Sequence, residues 1–237
     1  MTNDAKRFLY SLYLPVFFIL LLWIVKIAEL VLVLDFTEYG ILPLQLHGLK
    51  GIIAAPLVHS SFSHLIANSI PLLILSTGII YFYRDIAYKV LLLIYLISGF
   101  WVWLFARHAY HIGASGLVYG FASFLFFSGI IRKDNRMAAL SFIVVFLYGS
   151  MVWGIFPLQP QISWESHLMG AVVGGIIAVY YRKEGPQPER YEWENEDDTD
   201  EPGDDNVVND KTCGAAHDQE GNRQADEKIT INYDLKK

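Results

Sequence analysis

Long apolar runs separated by short polar breaks dominate the first 182 residues. A helix that crosses the hydrocarbon core of a bilayer needs about 20 mainly apolar residues. Six segments meet that demand: residues 9–33, 64–83, 87–106, 114–131, 137–156 and 164–182. The breaks between them are short except for residues 34–63, "LDFTEYGILPLQLHGLKGIIAAPLVHSSFS". That stretch is apolar and aromatic, and it reads as an element lying in the plane of the membrane interface. The pattern predicts an all-α polytopic membrane protein, a six-helix bundle over residues 1–182 with a long interfacial loop 1. Within the first segment Lys26 and Glu29 stand at i,i+3, a spacing that lets them pair while their long side chains reach the interface.

Composition sharpens this picture. Hydrophobic residues make up 54% of the 237-residue chain and charged residues only 18%, both displaced from soluble proteins in the direction of membrane proteins. Residues 1–182 carry 11 Lys/Arg and 7 Asp/Glu, whereas residues 183–237 carry 7 and 17. The overall charge of −6 therefore describes the tail and implies no nucleic-acid partner. After Lys183 the chain reads "KEGPQPERYEWENEDDTDEPGDDN", with too little apolar surface to offset chain entropy, so residues 183–237 are expected to form a disordered acidic tail. The closing "KITINYDL" alternates like a strand but has nothing evident to pair with. The single cysteine, Cys213, lies in this tail and excludes an intrachain disulfide.

Lys6 and Arg7 followed by an apolar run resemble a signal peptide. The run continues past Trp23 without a small-residue cleavage pattern and reads as a retained first helix. With the N-terminus inside, the inner segments hold Lys6, Arg7, Arg84, Lys89, Arg132, Lys133, Arg136, Arg182 and Lys183. The outer ones hold only Lys50 and Arg107, plus Lys26 if it snorkels outward. The positive-inside rule then places both termini in the cytoplasm of a multi-pass protein, expected in the cell membrane.

This topology brings the chemistry into view. Spans 2, 4 and 6 run from outside to inside, and their outer ends hold His64, Ser115 and His167. Polar and ionisable groups inside a membrane are costly and face the bundle interior or a water-filled cavity. A serine hydroxyl is a weak nucleophile until a base takes its proton, and histidine is the usual base. Ser115 and His167 meet only if spans 4 and 6 approach closely. Gly116-xxx-Gly120 and Gly170-xxx-Gly174 supply small faces for such an approach. His64 and Asn68, at i,i+4 on span 2, face the same way and can donate to one oxygen atom, as an oxyanion hole requires.

Each feature also has a plainer reading. A serine at a helix start is often an N-cap, an intramembrane histidine is often a hydrogen-bonding or packing residue, and GxxxG faces are mostly packing devices. Glu165, two residues before His167, points to another side of its helix and is not expected to orient the base. His47, His59, His108 and His111 sit in or beside outer loops and read as structural or interfacial.

Taken together, "GASG" with Tyr119 four residues after the serine, "HLIAN" at 64–68 and "SHLMGAVVGG" at 166–175 resemble the rhomboid family of intramembrane serine proteases. The resemblance covers roughly residues 9–182, with the motifs in order on the matching helix ends. It implies Ser115 as nucleophile and His167 as general base and acid. It further implies an oxyanion hole of His64, Asn68 and the Ser115 backbone N–H. Tyr119 would pack on the His167 ring, and Gly113, Gly116 and Gly170 match the family's small positions. The arginine that the family often carries after the proline-containing part of loop 1 is absent from "GILPLQLHGLKG".

The function so implied is cleavage of transmembrane protein substrates near the outer membrane face through an acyl-enzyme, with no metal or cofactor. Helical peptide bonds are shielded, so the substrate must unwind locally, and small or helix-breaking residues assist. "GIFPLQPQ" (154–161) reads as the hinge of a movable cap. Two rivals stand beside this reading. A non-catalytic binder of unstable membrane helices would need no dyad, and a transporter would use His64, Asn68 and His167 as a proton relay. The sequence leaves the natural substrate and the oligomeric state open.

Overall fold

The computed structural model describes residues 2–147, 154–158 and 162–185, and these contain α-helices, short 3-10 turns and no strand. The α-helices are α1 (Asn3–Val31), α2 (Gly51–Ala54), α3 (Phe62–Phe82), α4 (Ala87–Phe105), α5 (Ser115–Ile131), α6 (Asn135–Leu147) and α7 (Trp164–Tyr180). The acidic segment from residue 186 onward, with "KITINYDL" and Cys213, lies outside the described residues, as do residues 159–161 of the expected hinge.

Three helices, α1, α3 and α4, are long and apolar enough to cross a membrane. Helices α5 and α7 fall within two residues of the stretches expected for spans 4 and 6, and α6 begins two residues before the stretch expected for span 5. Helices α5 and α7 have 17 residues each, and α6 has 13 before residues 148–153, which lie outside the described residues. At 1.5 Å per residue, a 17-residue helix is about 25 Å long, less than the ~30 Å of a typical hydrocarbon core. Backbone turns bound α5 at both ends. Gly113 takes φ +103° just before α5, and Lys133 takes φ +55° just after it, so neither end continues. Conversely, α1 starts six residues before the expected apolar run, because the Thr2 hydroxyl accepts the Ala5 N–H and caps a polar first turn.

Helix α5 is the centre of the bundle and packs against α3, α4, α6 and α7. Phe124 and Leu125 on α5, with Leu72, Leu75 and Ile79 on α3 and Ile94 on α4, form its fully buried interior. Helix α1 packs on α3 from outside. Its Trp23 donates to Ser69, and Phe17, Leu20 and Ile24 face outward. Lys26 and Glu29 pair at 2.6 Å, as their spacing predicts, and Lys26 also donates to the His59 carbonyl at 2.8 Å. That bond ties α1 to the segment entering α3.

Loop 1 folds as short turns against the end of α4 nearest the loop. The Leu44 N–H donates to the Trp103 carbonyl, the Trp103 indole to the Gln45 carbonyl, and the Tyr95 hydroxyl to the Ile53 carbonyl. Leu44, Leu46 and Ile53 remain outward-facing, the disposition expected of an interfacial element. Ile41 pairs with His111 through two backbone hydrogen bonds, which anchors loop 1 to the segment preceding Ser115.

Candidate active site

Helices α3, α5 and α7 bring His64, Ser115 and His167 to one end of the bundle, around a cavity of about 670 Å³ that also touches Asn68, Tyr119 and Gly154. Small residues permit the close crossing of α5 and α7. A Cβ at Gly116 would stand 3.0 Å from the Ser166 carbonyl, and one at Gly170 would collide with the Gly116 carbonyl. Across this seam Ser123 donates to the Ala171 carbonyl at 2.6 Å. The two GxxxG faces therefore meet each other, backbone to backbone.

The Ser115 Oγ and His167 Nε2 lie 2.8 Å apart. The other ring nitrogen, Nδ1, lies 2.8 Å from the Gly154 carbonyl oxygen. A carbonyl can only accept, so Nδ1 carries the proton, and in the neutral ring Nε2 offers its lone pair to the serine hydroxyl. This is the tautomer a general base requires. The Tyr119 ring stacks on the imidazole with centroids 4.3 Å apart and planes at 11°. A hydrogen bond and a ring contact thus fix the histidine. The Gly154 carbonyl was not legible beforehand, because every residue carries one and nothing in a sequence marks which is used.

Opposite the serine, His64 and Asn68 flank Gly113. A Cβ on Gly113 would sit 2.8 Å from His64 Cε1, 3.1 Å from its Nε2 and 3.8 Å from Asn68 Nδ2. The space and the positive φ both require glycine there. His64 Nδ1 lies 3.2 Å from the Ser60 hydroxyl, and a proton donated by Ser60 leaves the imidazole proton on Nε2, the nitrogen nearer Gly113. Asn68 is buried, and its Nδ2 makes no hydrogen bond among the described residues. A buried amide donor without a partner is costly in a folded protein. Ser115 is the first residue of α5, so its backbone N–H has no intrahelical partner.

The remaining expected residues fall as follows. Glu165 does not approach His167 through any hydrogen bond and pairs instead with Arg107, Nε to Oε1 3.4 Å. His59 and His111 are fully buried, and His59 accepts the Ala114 N–H at 3.5 Å. Burial, followed by the proximity of His64, lowers the His59 pKa to about 4. No group of three or more His, Cys, Asp or Glu is placed to hold a metal among the described residues.

The family described as Rhomboid domain matches residues 47–184, more than half of the chain. An uncharacterized protein of Mycobacterium tuberculosis is 34% identical over 177 residues, covering 69% of this chain and 71% of that protein. An uncharacterized protein of Mycobacterium leprae is 29% identical over 188 residues, covering 76% and 74%. Apolar helices of membrane-crossing length accord with an integral membrane protein. The matched region begins within loop 1 and ends just beyond α7, so it contains the serine, both flanking histidines and the glycine seam: the chain belongs to the rhomboid family.

Proposed function

We propose that the chain is an intramembrane serine endopeptidase that cleaves transmembrane protein substrates near the outer membrane face. The observation that carries this reading is the 2.8 Å approach of Ser115 Oγ to His167 Nε2, in a ring whose Nδ1 proton is engaged by the Gly154 carbonyl. In this reading α1, α3, α4, α5, α6 and α7 belong to the six spans, and both termini are cytoplasmic. Residues 1–182 form the membrane domain and residues 183–237 an acidic appendage.

The substrate segment unwinds into the cavity, and its scissile carbonyl approaches Ser115. His167 Nε2 takes the hydroxyl proton as Oγ attacks the carbonyl carbon. Negative charge gathers on the carbonyl oxygen, where the Asn68 amide, the His64 Nε2–H and the Ser115 backbone N–H receive it. The imidazolium returns its proton to the leaving amine, and water entering by the cavity repeats the sequence on the acyl-enzyme. Tyr119 holds the ring through both proton transfers. Gly113, Gly116 and Gly170 let the reacting groups come together.

A serine-reactive fluorophosphonate tests the reading directly. Wild-type protein in detergent should be labelled and should cut a model transmembrane substrate, and folded Ser115→Ala should do neither. Cleavage retained by folded Ser115→Ala would overturn Ser115 as the nucleophile, whereas folded wild-type protein that is neither labelled nor cuts would leave a binder of membrane helices as the better account.

A further inference from the structure

Outside the reacting groups, a second polar cluster joins the segment before Ser115 to the start of α7. Arg107 donates from Nη2 to the Ile162 carbonyl at 2.8 Å, and its Nε lies 3.4 Å from Glu165 Oε1. The Glu165 side chain is only 5% exposed, and its Oε2 makes no hydrogen bond among the described residues. His111 is fully buried and is engaged at both nitrogens. Its Nε2 lies 3.0 Å from the Arg107 carbonyl and its Nδ1 2.5 Å from Ser163 Oγ. Ser163 Oγ in turn lies 2.6 Å from Ser166 Oγ.

These contacts have a consistent direction. The Arg107 carbonyl can only accept, so the His111 proton is on Nε2, and Nδ1 accepts from the Ser163 hydroxyl. Ser163 then accepts from Ser166. The cluster thus spans the gap between residues 107–111 and residues 162–166, immediately ahead of Ser115 in one segment and of His167 in the other. Below the dyad, the seam of Gly116 and Gly170 sets how closely α5 and α7 cross. The seam of bare backbone resists overclosing, and its Ser123–Ala171 hydrogen bond lies eight residues along α5 from Ser115, so it leaves the end of the crossing that carries the dyad to be held by other groups.

We infer that Arg107, His111, Glu165 and Ser163 form a polar clasp whose task is to hold the Ser115 segment in register with the start of α7 and so to set the Ser115–His167 hydrogen bond. This inference rests on the proposed serine-protease chemistry. The four are positioning residues, since none touches the reacting atoms. The clasp explains why a carboxylate is buried two residues from the base without contacting it. Glu165 fixes Arg107, and Arg107 holds both the Ile162 carbonyl and, through its own carbonyl, His111. Register matters because a misplacement of about 1 Å at the reacting groups costs up to ~100-fold in rate.

The test is kinetic, on full-length protein in detergent with a model transmembrane substrate, beside Tm. Arg107→Gln and Glu165→Gln should each lower kcat by about tenfold with KM within about twofold, since positioning acts on the reacting geometry. Arg107→Lys keeps the cation and should recover part of the loss. Ser163→Ala removes no charge and carries the test if the charge variants fail to fold. It should lower kcat several-fold and slow fluorophosphonate labelling of Ser115 in parallel. A wild-type kcat in folded Glu165→Gln and Ser163→Ala, with only Tm lowered, would overturn the clasp. If Ser115→Ala still cleaved substrate, the Ser115–His167 chemistry on which the clasp rests would fall, a result separable from the first.

Discussion

Gly170 rests its Cα against the backbone carbonyl of Gly116, and no side chain fits between them. The contact lies one residue beyond Ser115 and three beyond His167, so it fixes the separation of the helices that carry these two side chains. Gly170→Ala should force α7 outward. Overpacking of this kind costs about 1–3 kcal/mol of stability, and the displaced imidazole should lower kcat by at least about tenfold. Thermal unfolding together with kinetics of the folded fraction checks both. A Gly170→Ala protein with wild-type kcat would show that the seam is not what sets the dyad.

The proposed oxyanion donors give opposite expectations for stability and rate. Asn68 Nδ2 has no hydrogen-bond partner among the described residues, so Asn68→Ala removes an uncompensated buried donor and should leave Tm near or above wild type. Loss of one oxyanion donor is worth about 10²–10³ in kcat where no neighbour compensates. Here His64 and the Ser115 N–H remain, so the expected loss is smaller, at least about tenfold, with little change in KM. His64→Ala should lower both kcat and Tm, because His64 also meets Ser60 and packs edge-on to His59 with centroids 5.2 Å apart. Unchanged kcat in both variants would leave α3 a purely structural element.

His59 makes stability depend on pH. Its folded pKa, about 4, lies below the ordinary value of 6.5, chiefly because the ring is buried. Above pH 6.5 the ring is neutral in both states and its contribution is complete. As pH falls from 6.5 toward 4 the unfolded chain binds a proton that the fold refuses, and roughly 3 kcal/mol is lost across that window. His111, whose pKa burial also lowers, acts in the same direction. Tm should therefore fall on acidification from pH 7 to pH 4.5, and less steeply in His59→Gln. Parallel curves for the two proteins would remove His59 as the cause.

The matched family region ends at residue 184, ahead of the acidic segment. Deleting residues 190–237 should leave cleavage of a model transmembrane substrate within a few-fold of wild type. Collapse of activity in a truncated protein of unchanged Tm would make that segment part of the enzyme.

Hydropathy and residue spacing are local properties, and what they control was legible in the chain itself. The order of the helices, the apolar character of loop 1, the Lys26–Glu29 pair and the small faces at Gly116 and Gly170 all follow from residues a few positions apart. So does the presence of His64, Ser115 and His167 at like-directed helix starts. The start of α1 was less legible, because hydropathy marks apolar residues and not the Thr2 cap that begins the helix six residues before the apolar run. Only the tertiary structure decided what lies beside each group. The Gly154 carbonyl at His167, the Arg107–Glu165 pair and the His111–Ser163 bond join residues 13, 58 and 52 positions apart. Such contacts depend on the rotation and crossing of packed helices, which close packing of the whole bundle determines and which no spacing along one helix encodes.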